Sequence, residues 1–188
     1  MMRAVTVAVA SLLFSAASIG STRATSSGPK RQYVDRIIIH TISGPTCENG
    51  KVVYTGADGD AAFWKGYFDS HAYLSVHYII DRRGITVSSV PEDETANHAV
   101  GHNDGSIGIE LVHNGDGKEE FGQAQINALV SLLKGIRGRY PISVSSIVGH
   151  TDIDDRTFQC GGQEMKSKPD PGANFPWASV RAAMQNPE

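Results

Sequence analysis

Short β-branched runs alternate along this chain with helical patterns, and that alternation limits the fold more than any other feature. Ile37-Ile38-Ile39, Val76 to Ile80, Ile85-Thr86-Val87, Ser106 to Val112 and Ser146-Ile147-Val148 all read as short strands. Asp81-Arg82-Arg83-Gly84 reads as the turn between the second and third of them. Asp60 to His71 spaces Phe63, Tyr67 and Phe68 at helical intervals, with Asp58 or Asp60 as the cap. Gln123 to Arg139 sets Ile126, Leu129, Val130, Leu133 and Ile136 on one apolar face, and Pro141 stops it. Trp177 to Met184 supplies a closing helix. Thr41 to Gly59 is rich in Gly, Pro, Ser and Asn and reads as a long loop, and the stretch after His150 reads as an irregular tail. The expected fold is a single α/β domain, a mixed central β-sheet flanked by helices.

The N-terminal residues read as a targeting segment. Met1-Met2-Arg3 gives a basic start, and Ala4 to Phe14 is apolar apart from Thr6 and Ser11. Ser15-Ala16-Ala17 or Thr22-Arg23-Ala24 then offers a cleavage signal. The expected organisation is a signal peptide over 1–24, a flexible lead-in over 25–32 and one domain over 33–188. The product is expected to be exported, periplasmic or secreted, with no membrane-spanning segment in the mature chain. Lys and Arg number 17 against 20 Asp and Glu, a formal net charge of −3, and no basic run stands out. That balance argues against nucleic acid as a partner. Cys47 and Cys160 form an even count in an exported chain, which favours a disulfide over two free thiols.

Several catalytic signatures are absent: no Gly-x-Ser-x-Gly elbow, no His-Glu-x-x-His helix, no Cys-x-x-Cys pair and no Gly-rich phosphate loop. Two histidines share a spacing instead. His40 and His150 each follow a short strand run, where the carboxyl ends of α/β strands gather ligands. Two imidazoles so placed can converge on a zinc ion. In Ser106 to Val112 the alternation puts Ile107, Ile109 and Leu111 on one face, and Ser106, Gly108 and Glu110 on the other. The small side chains there leave room in front of the carboxylate, which is costly among apolar neighbours unless it has a partner or a task. In Lys168-Pro169-Asp170-Pro171-Gly172, prolines on both sides hold the Asp170 backbone in one direction.

Six segments occur in one order: Ile39-His40-Thr41, Val76 to Asp81, Asn97-His98-Ala99, Ser106 to Glu110, Gly149 to Ile153 and Lys168 to Gly172. Together they resemble the zinc-dependent N-acetylmuramoyl-L-alanine amidases, a family that takes in phage lysozyme-type amidases and peptidoglycan recognition proteins. The resemblance runs from about Tyr33 to Ala183. It implies Zn²⁺ as cofactor with His40, His150 and Asp170 as ligands, Glu110 as general base and Lys168 as stabiliser of the developing oxyanion. It also implies that His98 lines the substrate pocket, and that peptidoglycan or its muropeptides are the partner. Where some relatives carry Tyr before the second-strand histidine, this chain has Val76. The segment Asp154 to Ser167 is longer than usual between the His and the Lys-x-Asp element.

The expected activity is hydrolysis of the amide between N-acetylmuramic acid and L-alanine. The alternative is a non-catalytic peptidoglycan-binding protein on the same fold. Binders of this kind typically lose a metal ligand, whereas all three positions are kept here.

Overall fold

The computed structural model describes residues 30, 31 and 33–185, so the expected signal peptide lies outside the described residues. The order of elements is β1 (Arg36–Thr41), β2 (Pro45–Glu48), β3 (Lys51–Tyr54), α1 (Ala61–Ser70), β4 (Tyr78–Ile80), β5 (Thr86–Ser88), β6 (Ser106–Leu111), α2 (Gln123–Arg139), β7 (Ile147–Gly149), β8 (Thr157–Cys160), β9 (Gln163–Lys166) and α3 (Trp177–Gln185). Five strands form one mixed sheet in the order β5-β4-β6-β1-β7. Only β5 runs antiparallel to its neighbour; β1, β4, β6 and β7 are parallel.

The inner strands are buried on both faces, as their β-branched sequence requires of a covered parallel sheet. On one face Ile37, Ile39, Ile107, Ile109, Leu111 and Ile147 pack with Ile126, Leu129, Leu133 and Ile136 of α2 and with Val180 and Met184 of α3. On the other, Val76, Ile79 and Val112 meet Ala61 and Phe68 of α1. Asp60 caps α1, its side chain accepting the Phe63 N–H at 2.9 Å. Gln125 interrupts the apolar helix pattern but is fully buried, because its amide donates to the carbonyls of Ile80 and Val112. Val130, assigned to the apolar face from its spacing, is only partly buried.

Two stretches differ from the sequence reading. Thr41 to Gly59 is not one long loop but carries the antiparallel pair β2–β3, and the irregular tail carries a second pair, β8–β9. Both hairpins turn on two residues with positive φ: Asn49 and Gly50 at 50° and 74°, Gly161 and Gly162 at 59° and 80°. Asn-Gly and Gly-Gly pairs are the sequence signals for such a turn. Four-residue strands with polar, exposed faces leave no hydrophobic alternation to betray them. A disulfide between Cys47 in β2 and Cys160 in β8 joins the two hairpins, with Cα atoms 5.5 Å apart. At the end of the expected lead-in, Arg31 is held by hydrogen bonds from its guanidinium to the carbonyls of Glu92 and Ser106.

Candidate active site

His40 lies near the carboxyl end of β1, and in the parallel register its partner on β6 is Glu110. Partners in adjacent strands share a face, so both side chains leave the sheet on the α1 side. His150 follows β7 directly, in a short 3-10 turn over His150–Asp152. Asp170 reaches the same point from the loop after β9, where its carbonyl accepts the Thr151 N–H at 2.9 Å. The Asp170–Pro171 peptide is cis.

Three buried atoms meet there. His40 Nδ1 lies 3.0 Å from His150 Nδ1 and 3.1 Å from Asp170 Oδ2, and His150 Nδ1 lies 3.2 Å from that same oxygen. All three side chains are nearly inaccessible. Burial depresses the His40 imidazole below its usual value, with a hydrogen bond and opposite charge from Asp170 opposing. Burial also pushes Asp170 up, but its hydrogen bonds from His150 and His40 win and hold it below the usual carboxylate range.

The outer edge of the His150 ring faces a carboxylate without hydrogen-bonding to it. His150 Nε2 lies 3.4 Å from an oxygen of Asp154, which is gripped by the Arg156 guanidinium. That grip holds the Asp154 carboxyl well below its usual range.

The donor set fits a zinc ion. Two imidazole nitrogens and one carboxylate oxygen form a common zinc set, and ligands about 2.0–2.1 Å from a tetrahedral ion stand roughly 3.3 Å from one another. The observed separations of 3.0–3.2 Å lie close to that. Buried acceptors this close repel one another unless a proton or a cation lies among them. His40, His150 and Asp170 are also the only cluster of three potential metal donors among the described residues.

Glu110 stands beside this cluster. Its Oε2 is buried with no hydrogen-bond partner, which for a carboxylate is a costly arrangement. Burial, aided by the like charge of Asp170 and opposed by Lys168, raises its pKa to about 8. Lys168 is exposed on the rim of the same cavity. The cavity, about 300 Å³, opens over His40, Glu110, His150 and Asp170 and is walled by Trp64, Tyr67 and Leu74.

His98 also lines this cavity, and its ring fills the space over Gly108 that the strand pattern left open in front of Glu110. A Cβ at position 108 would come within 2.5 Å of that ring. Asp154 is a charged neighbour of the site that sequence reasoning did not single out. Asp154 had one signal, its place four residues after His150 in a polar turn.

Residues 30–173 match the family model described as N-acetylmuramoyl-L-alanine amidase. The chain is 32% identical over 169 residues to the 1,6-anhydro-N-acetylmuramyl-L-alanine amidase AmpD of Enterobacter cloacae, covering 83% of each chain. Among solved structures it resembles the amidase AmiD from E. coli in complex with anhydro-N-acetylmuramic acid-L-Ala-D-gamma-Glu-L-Lys, with a TM-score of 0.59 and 26% identity over 82% of this chain and 58% of that one. It also resembles AMPDH3 from Pseudomonas aeruginosa in complex with anhydromuramic pentapeptide, with a TM-score of 0.57 and 26% identity over 89% of this chain and 66% of that one.

Proposed function

The chain belongs to the N-acetylmuramoyl-L-alanine amidase family, and on that footing we propose that it is a zinc enzyme that cleaves the amide between N-acetylmuramic acid and L-alanine in peptidoglycan or its fragments. The observation that carries this reading is the buried triangle of His40, His150 and Asp170 beside an unpaired Glu110. His40, His150 and Asp170 would hold the metal. Bound there, Zn²⁺ supplies Lewis-acid polarisation of the amide carbonyl and makes water acidic enough to ionise near neutral pH.

The remaining steps fall to the side chains. Glu110 takes one proton from the attacking water as its oxygen bonds to the carbonyl carbon. It then gives that proton to the amide nitrogen as the carbon–nitrogen bond breaks, and the second water proton passes from the new carboxyl group to the amine, leaving the muramic carboxylate and the ammonium of L-alanine. A carboxyl group poised near neutrality suits both directions of transfer, and burial is what lifts Glu110 into that range. The Lys168 ammonium, at the cavity rim, offsets the negative charge that builds on the carbonyl oxygen. Trp64 and Tyr67 give the cavity an apolar wall for the sugar or stem peptide.

A protein that only binds peptidoglycan has no use for a buried, unpaired carboxylate beside three converging donors. The disulfide supports export to an oxidising compartment, periplasmic or extracellular. Among the described residues no helix is long and apolar enough to cross a membrane. The test is incubation of the zinc-loaded protein with a purified muropeptide. Free stem peptide beginning with L-alanine is the expected product, and an unchanged muropeptide would reject the reading.

A further inference from the structure

We infer that His98 is a positioning residue that fixes the tautomer of His40, acting as the middle of a one-way hydrogen-bond chain from Ser106. The inference rests on the proposed metal site and concerns how this chain prepares one ligand of it.

The direction of the chain follows from its far end. Ser106 Oγ lies 2.6 Å from the carbonyl oxygen of His102 and 3.1 Å from that of Asn103. Carbonyl oxygens only accept, so the single hydroxyl proton is committed to them. What remains on Ser106 Oγ is lone-pair density, and His98 Nε2 sits 3.2 Å away from it. His98 Nε2 must therefore carry a proton. The ring packs edge-on against His40 and His77, and the proposed metal site fixes its other end: His40 Nδ1 points at His150 and Asp170, a ligating nitrogen must be bare, and His40 therefore carries its proton on Nε2. His98 Nδ1 is then a bare acceptor, and the atom facing it at 3.0 Å is His40 Nε2. His40 Nε2 donates, which leaves His40 Nδ1 bare and directed at His150 and Asp170.

The surroundings hold His98 in this place. Asn103 Oδ1 accepts the backbone N–H groups of both His98 and Ala99, at 3.0 and 2.7 Å. The absence of a side chain at Gly108 lets the ring lie flat over β6. His77 locks Gly108 in turn, its Nδ1 accepting the Gly108 N–H at 3.0 Å. A group serving only as a cavity wall needs none of this polar fixing.

Two measurements on the full-length protein test the inference. Nitrogen-15 NMR of the zinc-loaded wild type should show His98 as the neutral Nε2–H tautomer; an Nδ1–H or doubly protonated His98 would overturn it. Zinc Kd, read by competition with a chelator, should weaken about 10- to 100-fold in His98→Phe, the usual scale for losing a partner behind a ligating imidazole. His98→Asn, whose Oδ1 can accept in place of Nδ1, should recover most of that loss. An unchanged Kd in His98→Phe, or no recovery in His98→Asn, contradicts the role of His98 alone. A wild type that takes up no zinc contradicts the metal site as well.

Discussion

His40 and Glu110 are register partners on the adjacent parallel strands β1 and β6. One rung of the sheet thus carries both a metal donor and the carboxyl group proposed to move the proton. Sheet spacing of about 4.8 Å sets their separation, and loop motion cannot alter it. The remaining participants arrive from loops: His150 in the turn after β7, Asp170 after β9. His40 and Glu110 are therefore the most rigidly placed members of the site.

From that placement, Glu110→Gln should preserve fold and zinc content while lowering turnover by on the order of a hundredfold or more. The comparison is between thermal melts, zinc analysis and initial rates on one muropeptide. Turnover near wild type would assign proton transfer to another group.

Loss of ligands should act on the metal first. His40→Ala and Asp170→Ala should each lose most of the zinc, about one ion per chain in the wild type, and the His40→Ala, His150→Ala double variant should lose all of it. Full occupancy in the double variant would place the metal elsewhere.

The disulfide spans 113 positions in sequence and ties β2 to β8, which leads through β9 into Lys168 and Asp170. Its reduction should lower stability by about 2–4 kcal/mol and weaken zinc binding together with it. Thiol titration of the unfolded, unreduced protein should find no free thiol. Two would contradict the bond.

Buried histidines set the acid limit. Burial, with the nearby Arg31 charge, holds the His77 imidazole at about 4 in the folded chain, against roughly 6.5 when unfolded. Because the folded value is the lower one, the unfolded chain takes up the proton first as pH falls. Stability should therefore drop between about pH 6.5 and 4, with His77 contributing on the order of 3 kcal/mol. Urea midpoints across that range should fall less steeply in His77→Asn than in wild type. Equal slopes would remove His77 as a source.

Much of this site is legible in the amino-acid order itself. The alternation in Ser106 to Leu111 puts Glu110 and Gly108 on one face, because a strand has a strict period of two. His40 and His150 are legible because apolar runs mark where strands end. The occupant of the space over Gly108 is not: His98 is brought there by the Asn103 contacts, which are tertiary and leave no periodic trace. The β2–β3 and β8–β9 pairs are hidden for a different reason. Their strands are short and largely exposed, so only the Asn49-Gly50 and Gly161-Gly162 turn pairs announce them.

Zinc-dependent cleavage of a defined muropeptide tests the central claim most directly. The protein would be stripped with a chelator, assayed by mass spectrometry on an N-acetylmuramoyl stem peptide, then assayed again after addition of one equivalent of Zn²⁺. The expected result is no cleavage in the stripped protein and restored release of an intact stem peptide with a free L-alanine amino terminus. Equal cleavage with and without the metal, or cleavage at a different bond, would contradict it.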